Sequence, residues 1–536
     1  MLTECNGQVI VNTKAGNYMG KTIKVLGRDI NAFLGIPYAS PPFRTWRFHP
    51  PFPIIWKSVY KAIEKPPSCV QHPSTQDFQW VPDLENMDED CLYLNIWVPA
   101  ENKEQSPLST MVWIHGGGYS TGSSNLDVYD GGVMASLGNV TVVSFNYRLG
   151  AFGFLYFYPH LTHKNVALND QFYALKWIYE NIEAFGGNSN EITLFGQDAG
   201  AWSIGYHLIS SLPQRFFKRV IMQSGSIYHP SLTVDSQMSL SLSLLLANDL
   251  KCNKSENYNN TFDYYKDVMK CMEEKEPLDI SFTEREYRKA LYRHILFVPQ
   301  VGDTFLLPTK PIDSFDFIKF NDVDVMLGNV ADEGSLFLAL YNEKLLLSNN
   351  PIITKHNVTE FLEPVMEYNR TSLEPIIKQY FENVPDDDFP TIIKRTHQAI
   401  GDWMFKCPTN FLAEKLAEKK FNVFHYTFKH RSGTNIYPKW TGVPHFEEVQ
   451  FVFGVPLLKT NEYTVEEQEF SRNLIELWTS FAKTGTPHVD NKLERWLPYT
   501  NQEPNSIELQ PKNIKATKLH SNEYCEFWRT DFEREL

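Results

Sequence analysis

Features that would place this protein in a membrane, on nucleic acid or around a metal are absent from its sequence. No stretch reaches the ~18–20 apolar residues of a transmembrane helix, so we expect no membrane span. The net charge of −14 disfavours a nucleic-acid partner and favours attraction of cations, although such a charge also serves ordinary solubility. None of the seven cysteines stands in a C-x-x-C pair, which makes zinc and thioredoxin-type sites poor interpretations. We therefore expect neither a metal nor a cofactor.

The cysteines favour an oxidising compartment. Six of the seven could form three bridges, and the short separations 69/91 and 252/271 suit local loops, but spacing alone leaves the connectivity open. Disulfides persist mainly outside the cytosol, so we expect a secreted, extracellular protein. The first residues show no basic segment followed by an apolar core, so no signal peptide is visible. If the protein is secreted, we expect that its signal peptide has been removed from this sequence or is missing from it.

Asn-x-Ser/Thr sequons give weak additional support for secretion, because they also arise by chance. Asn139 precedes an apolar strand and is the sequon least suited to carry sugar. The expected glycosylation sites are Asn253, Asn259, Asn357 and Asn369.

Strand-like and helix-like segments alternate along the chain. Apolar strands are expected at 110–115, 140–147, 191–197, 324–329 and 421–428, with an amphipathic helix over 168–182. This alternation predicts an α/β protein with a large, mostly parallel central sheet and helices on both faces. No linker, repeat or low-complexity segment interrupts it, so we expect one domain over 1–536. The polar stretch 232–292 is expected to be a surface insertion, and 522–536 an amphipathic helix.

One strand leads into a turn that normally carries a catalytic serine. The segment Gly196-Gln-Asp-Ala-Gly200 follows a strand and opens a helix, which is the G-x-S-x-G nucleophile elbow of the α/β-hydrolase fold. Asp198 stands at the serine position. The glycines fit a strained turn in which neighbouring backbone leaves no space for side chains. The sequence therefore keeps the geometry of the elbow and exchanges its nucleophile.

The other parts of an esterase site occur in the expected order. Glycines 116–118 follow a buried strand, as in an oxyanion loop, so the N–H groups of Gly117, Gly118 and Ala199 are the candidate oxyanion donors. Glu333 follows a later strand, and His445 lies in a late loop. The order elbow, acid, base is that of α/β-hydrolases. Singly, such a Glu or His is usually just solvated, but the ordered set predicts a triad.

With these residues, the chain resembles the type-B carboxylesterase family and, within it, most of all the cholinesterases. The similarity runs from Phe33-Leu-Gly-Ile-Pro-Tyr-Ala to Cys525-Glu-Phe-Trp. Its most specific blocks are Glu89-Asp-Cys-Leu-Tyr-Leu-Asn-Ile-Trp, Trp113-Ile-His-Gly-Gly-Gly, Asn146-Tyr-Arg-Leu-Gly-Ala-Phe-Gly-Phe and Phe451-Val-Phe-Gly-Val-Pro-Leu.

The resemblance implies pairings that the residues alone leave open. It implies the bridges Cys69–Cys91, Cys252–Cys271 and Cys407–Cys525, with Cys5 free, and the last bridge favours the cholinesterase branch. It also implies two buried, structural ion pairs, Arg47 with Glu89 and Arg148 with Asp170. Pairing through the C-terminal helix, over Cys525–Leu536, would give a homodimer.

The resemblance extends partly to the ligand gorge of cholinesterases. Trp80, near the place of the choline-stacking tryptophan, is as well explained as a packed core aromatic. Tyr129 and Phe337 match gorge aromatics, and Gln197 stands where cholinesterases carry a glutamate. Leu336 replaces an aromatic, and residues 293–295 interrupt the acyl-pocket region. Trp80, Gln197, Tyr129 and Phe337 are therefore the candidate contacts for a cationic or ester ligand.

Asp198 argues against ordinary ester hydrolysis. Attack of a carboxylate on an ester gives a tetrahedral species that expels the carboxylate more readily than the alkoxide, so it reverts to reactants. We hypothesise that Asp198 instead rests against the oxyanion donors and pairs with protonated His445.

Relatives without a triad serve in cell adhesion, usually with a membrane anchor. A secreted binding or interaction protein, with a small ligand or a protein partner, is the function that the sequence predicts.

Two alternatives stay open. The first is an ester hydrolase with residual or unusual activity, in which Asp198, His445 and Glu333 activate water. The second is a hydrolase that uses Asp198 as a nucleophile on an sp³ carbon, where alkyl transfer avoids an anhydride. The aromatic gorge suits the substrates of the second alternative poorly.

Overall fold

The computed structural model of the chain describes residues 3–72, 81–101, 106–158, 161–229, 232–253, 260–290, 295–317, 322–366, 373–489, 496–519 and 523–535. The strands are β1 (Thr3–Thr13), β2 (Gly16–Val25), β3 (Arg28–Pro37), β4 (Val59–Lys61), β5 (Ser68–Cys69), β6 (Met87–Asp88), β7 (Tyr93–Pro99), β8 (Leu108–Ile114), β9 (Thr141–Phe145), β10 (Gly187–Gln197), β11 (Arg219–Gln223), β12 (Asp324–Val330), β13 (Asn422–Phe428), β14 (Asn505–Leu509) and β15 (Lys515–Lys518).

The helices of the described ranges surround these strands. They are α1 (Gly132–Gly138), α2 (Gly150–Phe154), α3 (Val166–Asn181), α4 (Ala199–Leu208), α5 (Ser236–Asp249), α6 (Thr261–Glu274), α7 (Pro277–Ala290), α8 (Pro311–Phe317), α9 (Gly334–Tyr341), α10 (Val358–Met366), α11 (Glu374–Phe381), α12 (Phe389–Gly401), α13 (Cys407–Glu418), α14 (Val449–Val452), α15 (Val455–Leu458), α16 (Val465–Thr484) and α17 (Glu523–Glu535).

One sheet of 13 strands organises the fold. Its order is β1-β2-β3-β7-β9-β8-β10-β11-β12-β13-β14-β15, with β4 beside β2, while β5 and β6 form a small separate sheet. The pairs from β9 through β14 are all parallel, and the outer pairs are antiparallel except β2 with β4. The predicted mostly parallel centre is therefore confirmed, within a mixed sheet.

Both faces of the central strands are buried. Neighbouring side chains on a strand point to opposite faces, so Leu194 of β10 joins the core beneath α3 and α4, and Phe195 joins the core beneath α16. Such burial on both sides explains the near-continuous apolar runs of the central strands. Helices on both faces of the sheet confirm the predicted α/β-hydrolase architecture.

Three disulfides confirm the pairing that the resemblance implied. Cys69–Cys91 and Cys252–Cys271 each join residues close in sequence, with separations of 22 and 19, whereas Cys407–Cys525 spans 118 residues. The long bridge joins the start of α13 to α17 and so fixes the C-terminal helix to the body of the protein.

The two expected ion pairs are present, with Arg148–Asp170 fully buried and Arg47–Glu89 largely buried. The guanidinium of Arg47 donates to both carboxylate oxygens of Glu89, at 2.5 and 2.8 Å. That of Arg148 donates to Asp170 at 2.6 and 2.7 Å, and also to the backbone carbonyl of Arg47 at 2.9 Å. Loss of one partner would leave a buried charge, which typically costs 3–5 kcal/mol. These contacts are those of structural ion pairs, which is the role that the resemblance implied.

The polar stretch 232–292 is more regular than its composition indicated. It holds α5, α6 and α7, and apolar side chains such as Leu242, Leu246 and Met272 join the main core. The C-terminal helix α17 is present as predicted and buries Cys525, Trp528 and Phe532 against its own chain. Across the described ranges, no helix has both the length and the apolar character needed to cross a bilayer.

The length of the loop that each bridge closes predicts its contribution to stability. In the chain-entropy description, a bridge over 118 residues contributes about 5 kcal/mol and one over 19 residues about 3 kcal/mol. We expect Cys407→Ser/Cys525→Ser to lower the thermal midpoint more than the matched pair Cys252→Ser/Cys271→Ser. Differential scanning calorimetry measures both. Equal losses, or a larger loss for the short bridge, would contradict the loop-entropy account.

Candidate active site

The elbow that the sequence predicted is formed at the end of β10. Asp198 lies between β10 and α4 with φ 55° and ψ −125°, a conformation that is strained for a residue with a side chain. The turn passes so close to β8 that a Cβ on Gly200 would lie 1.9 Å from the carbonyl oxygen of Ile114. Only glycine fits there, so the backbone packing of the sheet holds the elbow in place.

The oxyanion loop follows β8 and faces the elbow. Gly117 has φ 101°, and a Cβ there would lie 2.2 Å from the carbonyl oxygen of Thr121. This turn directs two backbone N–H groups at Asp198: Gly117 and Gly118 donate to its Oδ2 at 2.8 and 2.7 Å. The N–H of Ala199 also hydrogen-bonds the carboxylate. The side chain of Asp198 therefore occupies the donors that would hold a substrate oxyanion.

Glu333 and His445 meet beside the elbow. Glu333 follows β12 at the start of α9, and its Oε1 accepts from the N–H of Val330 at 2.9 Å and from the amide of Asn329 at 3.2 Å. Its Oε2 lies 2.6 Å from Nδ1 of His445, whose Nε2 is 3.6 Å from Oδ1 of Asp198. All three triad positions are buried, with exposures of 0, 4 and 5 %. The structure thus brings Asp198, Glu333 and His445 together.

Charges decide the protonation of this buried group. Burial acts to lower the pKa of His445, but the Glu333 carboxylate, followed by hydrogen bonding to Asp198, raises it to about 10. Burial likewise acts to raise the pKa of Asp198, yet the hydrogen bond and charge of His445 and the backbone N–H donors lower it. At neutral pH the site therefore holds an imidazolium between two carboxylates.

Gln197 is buried beside the same imidazole. Its terminal amide lies 2.6 Å from Nε2 of His445, nearer than the carboxylate of Asp198. A protonated Nε2–H donates, so the amide oxygen has to face it, and rotation of the planar amide by 180° supplies that oxygen. Gln197 thus contacts the nitrogen that would serve as the catalytic base.

Aromatic rings enclose His445. Phe337 lies 5.2 Å from it, edge to face, and is 8 % exposed. Phe405 lies closer, at 4.5 Å, and stacks on Trp202 at 6.5 Å. The sequence predicted a role for neither Phe405 nor Trp202. Trp202 could have been proposed because it lies one helical turn after Asp198, whereas Phe405 sits on a π-helical segment, 402–406, that carries no motif.

The structure gives less information on the other two predicted ligand contacts, Tyr129 and Trp80. Tyr129 is 1 % exposed, and its ring packs 5.0 Å from Trp113 within the core under α16. Trp80 lies outside the described residues, as do Arg293 and His294. Ile295 covers the oxyanion loop, since a Cβ on Gly118 would lie 3.2 Å from its Cγ1. The ligand-binding roles of Tyr129 and Trp80 stay predictions.

The structure describes two of the four asparagines that were predicted to carry sugar. Asn253 accepts a hydrogen bond from the hydroxyl of Tyr264 at 2.8 Å, and Asn357 accepts from Thr354. Asn259 and Asn369 lie outside the described residues. Among the residues described, no group of three or more His, Cys, Asp or Glu side chains is arranged to hold a metal ion.

Comparison with known proteins agrees with this geometry. The family model described as the carboxylesterase family matches residues 7–528. The chain belongs to the carboxylesterase family. It is 36% identical to acetylcholinesterase-1 of Trittame loki over 541 residues, covering 98% of this chain and 94% of that protein. It is 35% identical to the acetylcholinesterase of Bungarus fasciatus (97% and 86% covered) and to the cholinesterase of Mus musculus (98% and 87% covered). The resemblance to cholinesterases is confirmed.

The charge of Asp198 should contribute, after that of Glu333, to holding the proton on His445 in this carboxylesterase-family site. Asp198→Asn keeps the side-chain shape and removes the charge, so we expect the pKa of His445 to fall from about 10 toward its ordinary 6.5. NMR titration of the imidazole nitrogens measures it. Glu333→Gln removes the larger cause of the shift and should lower the pKa more than Asp198→Asn does. A pKa that stays near 10 in Asp198→Asn would show that Asp198 does not hold the proton.

The raised pKa of His445 makes the free energy of unfolding depend on pH. Because the folded pKa of His445 lies above 6.5, its contribution is complete below pH 6.5 and is lost as pH rises toward 10. The lowered pKa of Asp198 contributes above pH 3.8 and is lost on further acidification. We expect the difference in thermal midpoint between the native protein and Asp198→Asn to shrink from pH 7 to pH 10. A constant difference would contradict this linkage.

Proposed function

We propose that this chain is a cholinesterase-like protein without normal serine-esterase activity, which acts as a secreted binding or interaction protein. Its small-molecule ligand would be a choline-type cation. The observation that supports this most is the carboxylate of Asp198, which accepts hydrogen bonds from Gly117 and Gly118 at 2.8 and 2.7 Å. The site is already occupied by its own side chain.

Three elements of esterase chemistry are missing from that arrangement. Asp198 replaces the hydroxyl whose attack gives a stable acyl-enzyme, and its carboxylate is the better leaving group in any adduct with an ester. An ester oxyanion would have to displace a carboxylate from the donor N–H groups and then lie beside its negative charge. His445, with a pKa of about 10, carries a proton at neutral pH and cannot take another.

The charges and the rings around His445 support a cationic ligand. Asp198 and Glu333 together carry two negative charges, and protonated His445 balances one of them. A cation near the carboxylates and against the ring of Phe337 would gain ~1–2 kcal/mol from the ring if desolvated. The chain as a whole also carries a net charge of −14, which attracts cations to it.

The disulfides support secretion, because bridges of this kind persist in oxidising compartments. A homodimer through α17 would use the polar side of that helix, since Cys525, Trp528 and Phe532 are buried in their own chain. Glu523 and Glu526 are exposed on that polar side. Such a face fits a wet, polar contact better than an apolar bundle.

A hydrolase with residual activity is the second candidate. The 2.6 Å contact of His445 with Glu333 favours it, because the base keeps its orienting acid. In that case Asp198 and His445 would activate water for ester cleavage. The same measurement of ester turnover separates the two candidates.

Ester turnover tests the proposal directly. We expect the native protein to turn over acetylthiocholine and short-chain esters no faster than the His445→Ala control, since loss of a triad nucleophile costs roughly 10⁶-fold. Asp198→Ser restores the nucleophile, frees the oxyanion donors and lowers the pKa of His445, so this variant should gain activity. Native turnover that Asp198→Ala abolishes would overturn the proposal in favour of the hydrolase.

Ligand capture requires a separate measurement. We expect choline to bind the native protein in isothermal titration calorimetry at about pH 5.5, where His445 is protonated in both proteins. There Asp198→Asn should weaken binding about tenfold, which corresponds to ~1.4 kcal/mol. Asp386→Asn, which removes an exposed carboxylate elsewhere in the chain, is the matched control and should leave the affinity unchanged. Equal choline affinity in the native protein and Asp198→Asn would refute a role of this carboxylate in binding.

A further inference from the structure

A second cavity lies apart from the triad. It has a volume of about 550 Å³ and is bounded by the chain before α3, by the first half of α3 and by residues 302–306. None of the residues that line it belongs to the triad or the oxyanion loop. Its volume is within the ~300–1,000 Å³ of sites that hold small organic ligands.

Aromatic rings form much of the wall of this cavity. Tyr156 is buried at its base, and Phe172 and Tyr173 lie half-buried on α3 with their rings 5.6 Å apart, edge to face. Phe305 stands at the rim and is 66 % exposed, which is unusual for so large an apolar side chain. The faces and edges of these rings offer edge-to-face or offset-stacked contacts to a flat aromatic molecule in the cavity.

Lys164 places one fixed positive charge in the wall. Its ammonium lies 5.5 Å from the ring centre of Tyr156 and donates to the backbone carbonyls of Val301 and Gly302, both at 3.1 Å. An ammonium has three N–H donors, so one is left without an acceptor among the described residues. This donor is anchored by the protein and available to a ligand.

Burial lowers the pKa of Lys164, and the carboxylates of Asp303 and Asp235 act against that shift. The carboxylate of Asp303 accepts from the amide of Asn165 at 3.0 Å and from the N–H groups of Phe305 and Leu306 at 2.8 and 3.4 Å. It holds the rim loop in place, and it also balances part of the lysine charge. The cavity therefore suits a single negative charge and disfavours a phosphate dianion.

His163, which also lines the cavity, adds no charge at neutral pH. Burial lowers the pKa of its imidazole below the ordinary 6.5, with the Asp303 carboxylate acting in the opposite direction. The ring packs edge to face against His49 at 5.6 Å. Lys164 is accordingly the positive charge that a ligand would meet in this wall.

We propose that this cavity binds a flat aromatic ligand that carries one anionic group, such as an aromatic carboxylate or sulfonate. The rings of Tyr156, Phe172 and Phe305 contact the aromatic body, and the free N–H of Lys164 donates to the anion. Charge-assisted hydrogen bonds of this kind are stronger than neutral ones. The ligand class is opposite in charge to the choline-type cation proposed for the triad pocket, so the two sites are independent.

Two fluorescent probes with the same aromatic frame test the proposal. Anilinonaphthalene sulfonate carries one negative charge, and N-phenyl-1-naphthylamine lacks it. We expect one sulfonate probe to bind per native chain, about tenfold or more tightly than the neutral probe. Lys164→Met keeps the length of the side chain and removes its charge. It should reduce the affinity for the sulfonate to that for the neutral probe, with neutral binding unchanged.

Phe305→Ser tests the aromatic half of the site. This side chain is 66 % exposed, so its removal should not unfold the protein, and both probes should lose affinity. Phe317→Ser removes a phenylalanine that is 80 % exposed elsewhere and should change neither affinity. Sulfonate binding that survives both Lys164→Met and Phe305→Ser would overturn the proposal. Equal affinity of the native protein for the two probes would overturn it too, because the anion would then contribute nothing.

Discussion

The contacts of protonated His445 with Glu333 and Asp198 set the charge state of the whole candidate site, and backbone N–H donors add to them at Asp198. A buried carboxylate without donors would take up a proton, since burial acts to raise its pKa. Held by the N–H groups and by His445, it stays ionised and in turn helps to keep the imidazole protonated. The backbone N–H donors, His445 and Asp198 therefore depend on one another for their charge and hydrogen bonding. The stability of this arrangement comes from the same contacts that a substrate would need.

Much of this site was predictable because its parts are local. A strand, a glycine turn and a helix leave a readable pattern, so the elbow around Asp198 and the loop at 116–118 could be found from spacing. Glu333 and His445 follow from the order in which α/β-hydrolases supply acid and base. The sheet order was predictable only as a class, since alternation does not say which strands are neighbours.

Other features depend on contacts that sequence spacing does not encode. The contact of Gln197 with His445 joins residues 248 positions apart, and Phe405 reaches the imidazole from a π-helical segment. Hydrophobic pattern also understated 232–292, whose helices bury Leu242 and Met272 beneath a polar surface. The cavity at Lys164 is formed by four parts of the chain, and the contact of Lys164 with Val301 joins residues 137 positions apart. In each case tertiary packing, and not local preference, sets the position.

The elbow geometry itself is no measure of activity, and its physical cause explains why. Gly200 is confined by the carbonyl oxygen of Ile114, 1.9 Å from where a Cβ would lie, and Gly117 is confined by Thr121. These restraints come from the packing of β8, β10 and α4, and they hold for any side chain at position 198. A nucleophile can therefore be exchanged while the scaffold, the donors and the Glu333–His445 contact persist. What such an exchange changes is the charge inside the scaffold: the carboxylate at position 198 accepts from the N–H groups of Gly117 and Gly118, which a neutral hydroxyl would leave free.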